Sequence, residues 1–233
     1  MNQQEMKSLA GRGAVEAMVK SGMKLGLGTG STAIHAVRRV GELITQGVLK
    51  DIRVVATSFQ TVLECERLGI PLFDLNSQEI GGELDLTIDG ADEVDPERRC
   101  VKGGGAALLL EKIVAYASKT YAIVADESKL VEHLGIAFPV PVETIPEARV
   151  TVRKAVEKLD AQAVLREAVR KAGPVITEHG NFILDVRFSS PVDPAALETE
   201  LNRIPGVVEN GLFTRIRPAI FIARADGSLE AAY

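Results

Sequence analysis

The chain has 233 residues, 46% of them hydrophobic and 25% charged, enough for one large domain or two small ones with a substantial core. That balance excludes disordered, collagenous and disulfide-framework classes. With 27 basic against 32 acidic residues, a net charge of −5 and no basic block, it also lacks the concentrated cationic surface that nucleic-acid binding requires. The opening 22 residues mix acidic and polar positions and read as no signal peptide. No run reaches the roughly 18 apolar residues of a membrane helix. The two cysteines, Cys65 and Cys100, suit a reducing, cytoplasmic setting.

In chain order, residues 4–20 carry Met6, Leu9, Ala10, Ala14, Ala17 and Met18 at helical spacing, and a short strand is expected at 23–27. Beyond a glycine loop, Ile34, Val37, Val40, Leu43 and Ile44 repeat at helical intervals. There follow a strand at 53–56, a helix at 61–68, strands at 70–73 and 84–88, a helix at 106–118 and a strand at 121–125. Such alternation predicts an α/β fold, a Rossmann-like domain around a mostly parallel sheet. Ligands of such sheets bind beyond the carboxyl ends of strands. Near 135–146, Pro139, Pro141 and Pro146 read as an extended connection. Past it are expected a helix at 150–159, strand-like stretches at 163–169 and 175–177, a turn at His179-Gly180-Asn181, a strand at 182–188, and a helix opened by Asp193-Pro194. This is a smaller α+β domain, inserted at 135–206 between residues 1–134 and 207–233 of the first. The final strand, at 219–223, is expected to rejoin the first sheet.

Three segments carry chemistry. Residues 26–32, with Gly26, Gly28, Thr29, Gly30, Ser31 and Thr32, lie between strand and helix, where a tight glycine turn and free helix N–H groups suit a phosphate. A dinucleotide fingerprint fails because Ser31 stands where glycine is required, and a Walker loop fails for want of its lysine. The plain alternative is a helix cap by Ser31 or Thr32. Second, Asp89, Gly90, Ala91 and Asp92 follow a strand directly. Two carboxylates three apart suit sugar hydroxyls, and an acidic surface turn is the competing account. Neither a calcium-loop spacing nor a histidine cluster accompanies them, since His35, His133 and His179 are scattered.

Third, Lys102 precedes Gly103, Gly104 and Gly105, a flexible loop with a cation able to hold an enolate oxygen. Glu111 then enters an apolar helix, with small residues Gly104, Ala107, Ala115 and Ser118 at helical spacing around it. Burial there favours the protonated form of a carboxylate, the tuning a general base near neutral pH requires. The competing account makes Glu111 and Lys112 the wet edge of the helix. Lys129, in a segment that again follows a strand, is weaker alone. Together these groups fit proton transfer on a phosphorylated sugar.

Residues 26–33, 57–61, 89–95, 102–112 and 125–129, and further stretches at 138–146, 180–186 and 204–213, make the chain resemble the type A ribose-5-phosphate isomerases almost throughout. The resemblance implies interconversion of D-ribose 5-phosphate and D-ribulose 5-phosphate through an enediolate, with no cofactor and no metal. It implies Glu111 as the base, and Asp89 and Asp92 on sugar hydroxyls, with Asp89 assisting ring opening. It places Lys102 on the developing oxyanion near Gly103, Gly104 and Gly105, Thr29 to Thr32 on substrate, and Lys129 completing the pocket. It further implies a Rossmann-like domain with an inserted α+β domain, and a homodimer or homotetramer. Two alternatives remain: an amino-sugar phosphate isomerase, and a non-catalytic sugar-phosphate sensor.

Overall fold

The computed structural model describes residues 1–233. In chain order its elements are α1 (Gln3–Met18), β1 (Lys24–Leu27), α2 (Ala33–Thr45), β2 (Arg53–Ala56), α3 (Phe59–Leu68), β3 (Leu84–Gly90), β4 (Glu93–Val94), β5 (Cys100–Val101), α4 (Leu108–Tyr116) and β6 (Ser118–Asp126). There follow β7 (Val140–Thr144), α5 (Arg149–Glu157), β8 (Ala161–Leu165), β9 (Phe182–Phe188), α6 (Pro194–Asn202), β10 (Val207–Asn210), β11 (Leu212–Phe213), β12 (Ala219–Ala223) and β13 (Leu229–Ala232). The chain forms two compact units, Met1–Ala91 with Leu110–Lys129 and Arg217–Tyr233, and Asp92–Leu109 with Leu130–Ile216.

The first unit is built on a six-stranded sheet in the order β13-β12-β6-β3-β1-β2. All its pairings are parallel except β12 with β13. The final hydrophobic strand does rejoin this sheet, with Ala219 opposite Ala122. Leu25, Leu27, Leu86, Ile88, Val124 and Phe221 form its core with Met6, Ala10 and Ala14 of α1 and Val37 and Val40 of α2, as the 3.6-residue spacing of those helices requires. The strand expected at 70–73 is reduced to one bridge, Val54 to Leu72. Pro71 has no N–H to extend a ladder, and a turn through Asp74 and Asn76 follows at once.

The second unit holds an antiparallel sheet ordered β10-β7-β9-β8 and a three-stranded one ordered β11-β5-β4. Val140, Val142, Leu184 and Val186 pack beneath α5 and α6, represented by Val152, Val156, Leu197 and Leu201. Asp193 caps α6, its side chain accepting from the Ala195 and Ala196 N–H groups. The expected extended connection at 135–146 contains the strand β7. Pro141 is tolerated there because the residue facing it just past β10 is Gly211, whose N–H donates to the Pro141 carbonyl at 2.7 Å and whose own carbonyl accepts from the Lys102 N–H at 2.8 Å, so no acceptor is left wanting an N–H from the proline. The stretches at 163–169 and 175–177 resolve into β8 and two isolated bridges, Glu167 to Pro174 and Ile176 to Phe182.

Candidate active site

In the first unit, four parallel strands deliver their following loops to one edge of the sheet. β1 leads into residues 28–32 and β2 into 57–61, β3 carries Asp89 and Gly90 at its end and leads into Ala91, and β6 ends at Asp126 and leads into the 3-10 turn Glu127–Lys129. Asp89 is fully buried. Its Oδ1 accepts from the Thr29 N–H at 3.0 Å and from the Gly90 N–H at 2.7 Å. The glycine loop is thereby fastened to the carboxylate. A Cβ on Gly28 would lie 1.9 Å from that same Oδ1, so the approach needs glycine. Gly30 has φ +100, a conformation closed to other residues.

The hydroxyls expected at the start of the following helix do not cap it: Thr32 is the N-cap residue of α2 and makes no side-chain cap bond. Ser31 instead accepts from Lys7 Nζ at 3.0 Å, and the N-terminal end of α2 retains its positive field. Thr29 Oγ1 lies 2.7 Å from Thr57 Oγ1 and 2.6 Å from Ser58 Oγ. Thr61 Oγ1 donates to the Gly28 carbonyl at 2.7 Å, and the Gly30 N–H donates to Gln60 Oε1 at 3.0 Å. Lys7, Thr57, Ser58 and Gln60 were not among the candidates. The 57–61 segment follows a strand end, the rule that located the others. Lys7 shares a helical face with Ala10 and Ala14, which marks it as inward-facing.

Glu111 is also in the first unit, in the first turn of α4, and is 5% exposed, so it is not a wet edge. The helix is shorter than expected, however. Ala106 has φ +61 and Gly103 φ +101, which keeps the preceding loop out of the helix, and the strand β6 takes over at Ser118. Of the four small residues counted around Glu111, only Ala115 lies on its helix. Asp126, fully buried, accepts from the Ser128 N–H at 3.1 Å and from the Ser128 hydroxyl. Lys129 closes this turn, half-buried.

In the second unit, Asp92 Oδ2 accepts from the Gly104 N–H at 2.8 Å. Asp92 thus meets the triple-glycine loop, as Asp89 meets the first loop. Lys102 is 2% exposed, its Nζ 5.5 Å from the centre of the Phe213 ring and its N–H donating to the Gly211 carbonyl at 2.8 Å. Gly103, Gly104 and Gly105 follow, the last two exposed. The carbonyls of Gly103 and Gly104 accept from Arg166 Nη1. The neighbouring acidic residues are structural. Glu93 accepts from the Gly135 and Phe138 N–H groups at 2.7 and 2.6 Å, and burial raises its carboxyl above the ordinary range against the pull of those bonds. Asp95 pairs with Arg99 at 2.6 Å across the β4–β5 hairpin.

A family model described as ribose 5-phosphate isomerase A (phosphoriboisomerase A) matches residues 53–227. The ribose-5-phosphate isomerase A of Treponema denticola is 55% identical over 217 residues, covering 92% of this chain and 91% of that one. That of Treponema pallidum is 52% identical over 231 residues, covering 96% and 91%. A solved D-ribose-5-phosphate isomerase in complex with phospho-erythronic acid aligns with TM-score 0.95 at 40% identity, covering 100% of this chain and 99% of that one. The ribose 5-phosphate isomerase A of Methanocaldococcus jannaschii aligns at 0.91 and 40%, covering 98% of each.

Proposed function

The chain belongs to the ribose 5-phosphate isomerase A family, and from that premise we propose how its residues interconvert D-ribose 5-phosphate and D-ribulose 5-phosphate. The reaction is an internal redox exchange, in which a proton leaves C2 of the open-chain aldose and returns at C1 through an enediolate, while the C2 hydroxyl gives up its proton and the C1 oxygen gains one. Glu111 is the base that carries this proton. Lys102, with the N–H groups of Gly103 and Gly105, answers the negative charge that develops on the oxygen, where preorganised donors act most strongly, while the Gly104 N–H holds Asp92. Asp89 and Asp92 bind sugar hydroxyls, and Asp89 also assists ring opening. Thr29, Gly30, Ser31 and Thr32 hold substrate. Lys7 on Ser31 and the α2 N-terminus without a side-chain cap supply the positive field a phosphate needs. Lys129 completes the pocket.

The observation that carries this reading is the fully buried Asp89 carboxylate, hydrogen-bonded to the backbone of the glycine loop at the carboxyl end of a parallel strand. The protein acts as a homodimer or homotetramer in the cytoplasm. Its two cysteines are buried and form no disulfide, which suits that setting, and no helix is long and apolar enough to cross a membrane. The test is purified protein with D-ribose 5-phosphate in chelator-containing buffer, following the ketopentose phosphate. Turnover is expected. Binding by calorimetry without turnover would reveal a sensor, and turnover confined to amino-sugar phosphates would reveal the related isomerase. Light scattering reads the oligomer.

A further inference from the structure

The loop of Gly103, Gly104 and Gly105 has no side chains to fix its own conformation, and consecutive glycines lose more freedom on ordering than any other sequence. One bond is the loop's own, the Ala106 N–H donating to the Gly103 carbonyl at 2.9 Å, and the rest of its support comes from outside. Arg166, just after β8, reaches it with all three guanidinium nitrogens engaged. Nε and Nη2 fork onto Asp185 of β9 at 2.9 and 2.5 Å, and Nη1 donates to the Gly103 carbonyl at 2.9 Å and the Gly104 carbonyl at 3.0 Å. The backbone of Arg166 is itself pinned, its N–H to the Ile183 carbonyl at 2.9 Å and its carbonyl to the Val175 N–H at 2.8 Å. Asp185 stands opposite Val164 in the β8–β9 ladder, so the fork grows from a rigid sheet.

A trans peptide is planar, with its C=O and the following N–H on opposite sides. Drawing the carbonyls of Gly103 and Gly104 toward Arg166 therefore turns the N–H groups of Gly104 and Gly105 to the other side. The Gly104 N–H is found there, on Asp92 Oδ2.

We propose that Arg166, clamped by Asp185, is a positioning residue for the reaction. It touches no substrate but, with Asp92 holding the Gly104 N–H, aims the Gly105 N–H beside Lys102. This inference rests on the isomerase reading given above. A donor displaced by about 1 Å can cost 10²-fold in rate, and a donor serving charge that arises only along the reaction path shows its loss in kcat rather than KM.

The experiment compares the parent, R166A, R166K and D185N, each confirmed folded by its circular dichroism and melting profile. For R166A we expect kcat to fall about 10²-fold, with KM changed by less than about threefold, and added guanidinium ion to recover part of kcat. R166K stays impaired, because one ammonium cannot hold the carboxylate bidentately and two carbonyls as well. D185N is impaired too, and R166A/D185N is no worse than R166A alone, since both residues act as a unit. The amide resonances of Gly104 and Gly105 move in R166A without substrate. Folded R166A with kcat within twofold of the parent, or unmoved glycine resonances, would overturn the proposal and leave Arg166 a packing group. Should R166A fail to fold, D185N carries the same comparison. A parent protein without turnover would sink the isomerase reading instead, while the glycine resonances would still decide whether Arg166 orients the loop.

Discussion

Replacing Gly28 by alanine tests the link between the first glycine loop and Asp89. The added Cβ would lie 1.9 Å from Asp89 Oδ1, 2.1 Å from its Cγ and 2.6 Å from its Cα. The first overlap is about 1.5 Å short of an ordinary contact. A new rotamer of Asp89 does not relieve it, because its backbone overlaps as well. The end of β3 must move, and Oδ1 then loses the Thr29 and Gly90 N–H groups. Hydrogen bonds to a charged group contribute about 1.5–3 kcal/mol each, and overpacking costs about 1–3 kcal/mol more. A destabilisation of about 4–9 kcal/mol is therefore expected, with activity largely lost. Gly30→Ala is the control. Nothing lies within 4 Å of its Cβ position, and its φ of +100 leaves backbone strain alone, about 1–3 kcal/mol. Urea unfolding with an isomerase assay reads both variants. Gly28→Ala within 1 kcal/mol of the parent, or milder than Gly30→Ala, would refute the reasoning.

Glu111→Gln is expected to lower kcat by about 10²–10⁴-fold with KM little changed, and a near-normal kcat in steady-state assay would remove Glu111 as the base. Hydrogen bonds from Arg67 and Arg38 hold the Glu64 carboxyl down to about 2, against 4.5 unfolded. Its contribution is therefore present above pH 4.5 and lost as pH falls through about 2. Because both arginines face water, Glu64→Gln should cost under about 1 kcal/mol at neutral pH. That gap should close in urea titrations as the pH approaches 2. Glu93→Gln turns an amide NH2 toward the Gly135 or Phe138 N–H, so one buried donor loses its acceptor. The fold should lose about 1–3 kcal/mol in the same assay. Burial pushes the Cys65 thiol up to about 12, and Cys100 is buried too. A thiol reagent at pH 8 should therefore label neither until the protein is denatured, and labelling of native protein would contradict this burial.

What was legible in the sequence follows from length and local period. The helices of the first unit show a clear 3.6-residue stripe, and its long strands are hydrophobic runs, so their alternation announces a parallel sheet. β4, β5 and β11 have two residues each and present no period to read. β7 was hidden by Pro141, whose tolerance depends on the facing Gly211 giving its carbonyl to the Lys102 N–H, a fact of tertiary pairing. Asp89, Asp92 and both glycine loops were legible because each sits at or just beyond the end of a strand. The Arg166–Asp185 clamp was not. Its members are 19 residues apart, and Arg166 grips main-chain carbonyls 62 and 63 residues away. No side-chain pattern records a carbonyl acceptor.

The acidic stretch 89–95 shows why charge density alone misleads. Its four carboxylates lie within seven residues, and each meets a different partner. Asp89 holds the backbone of the first glycine loop, and Asp92 the N–H of the second. Glu93 gathers the 135–138 turn, and Asp95 closes a hairpin onto Arg99. Asp89 and Asp92 accept from glycine-loop N–H groups, Asp89 at full burial and Asp92 half-exposed. Glu93 and Asp95 are consumed by loop and hairpin contacts. Both glycine loops are thus fixed by a carboxylate of one short stretch, and a shift in either half of the motif would misplace the donors that depend on it.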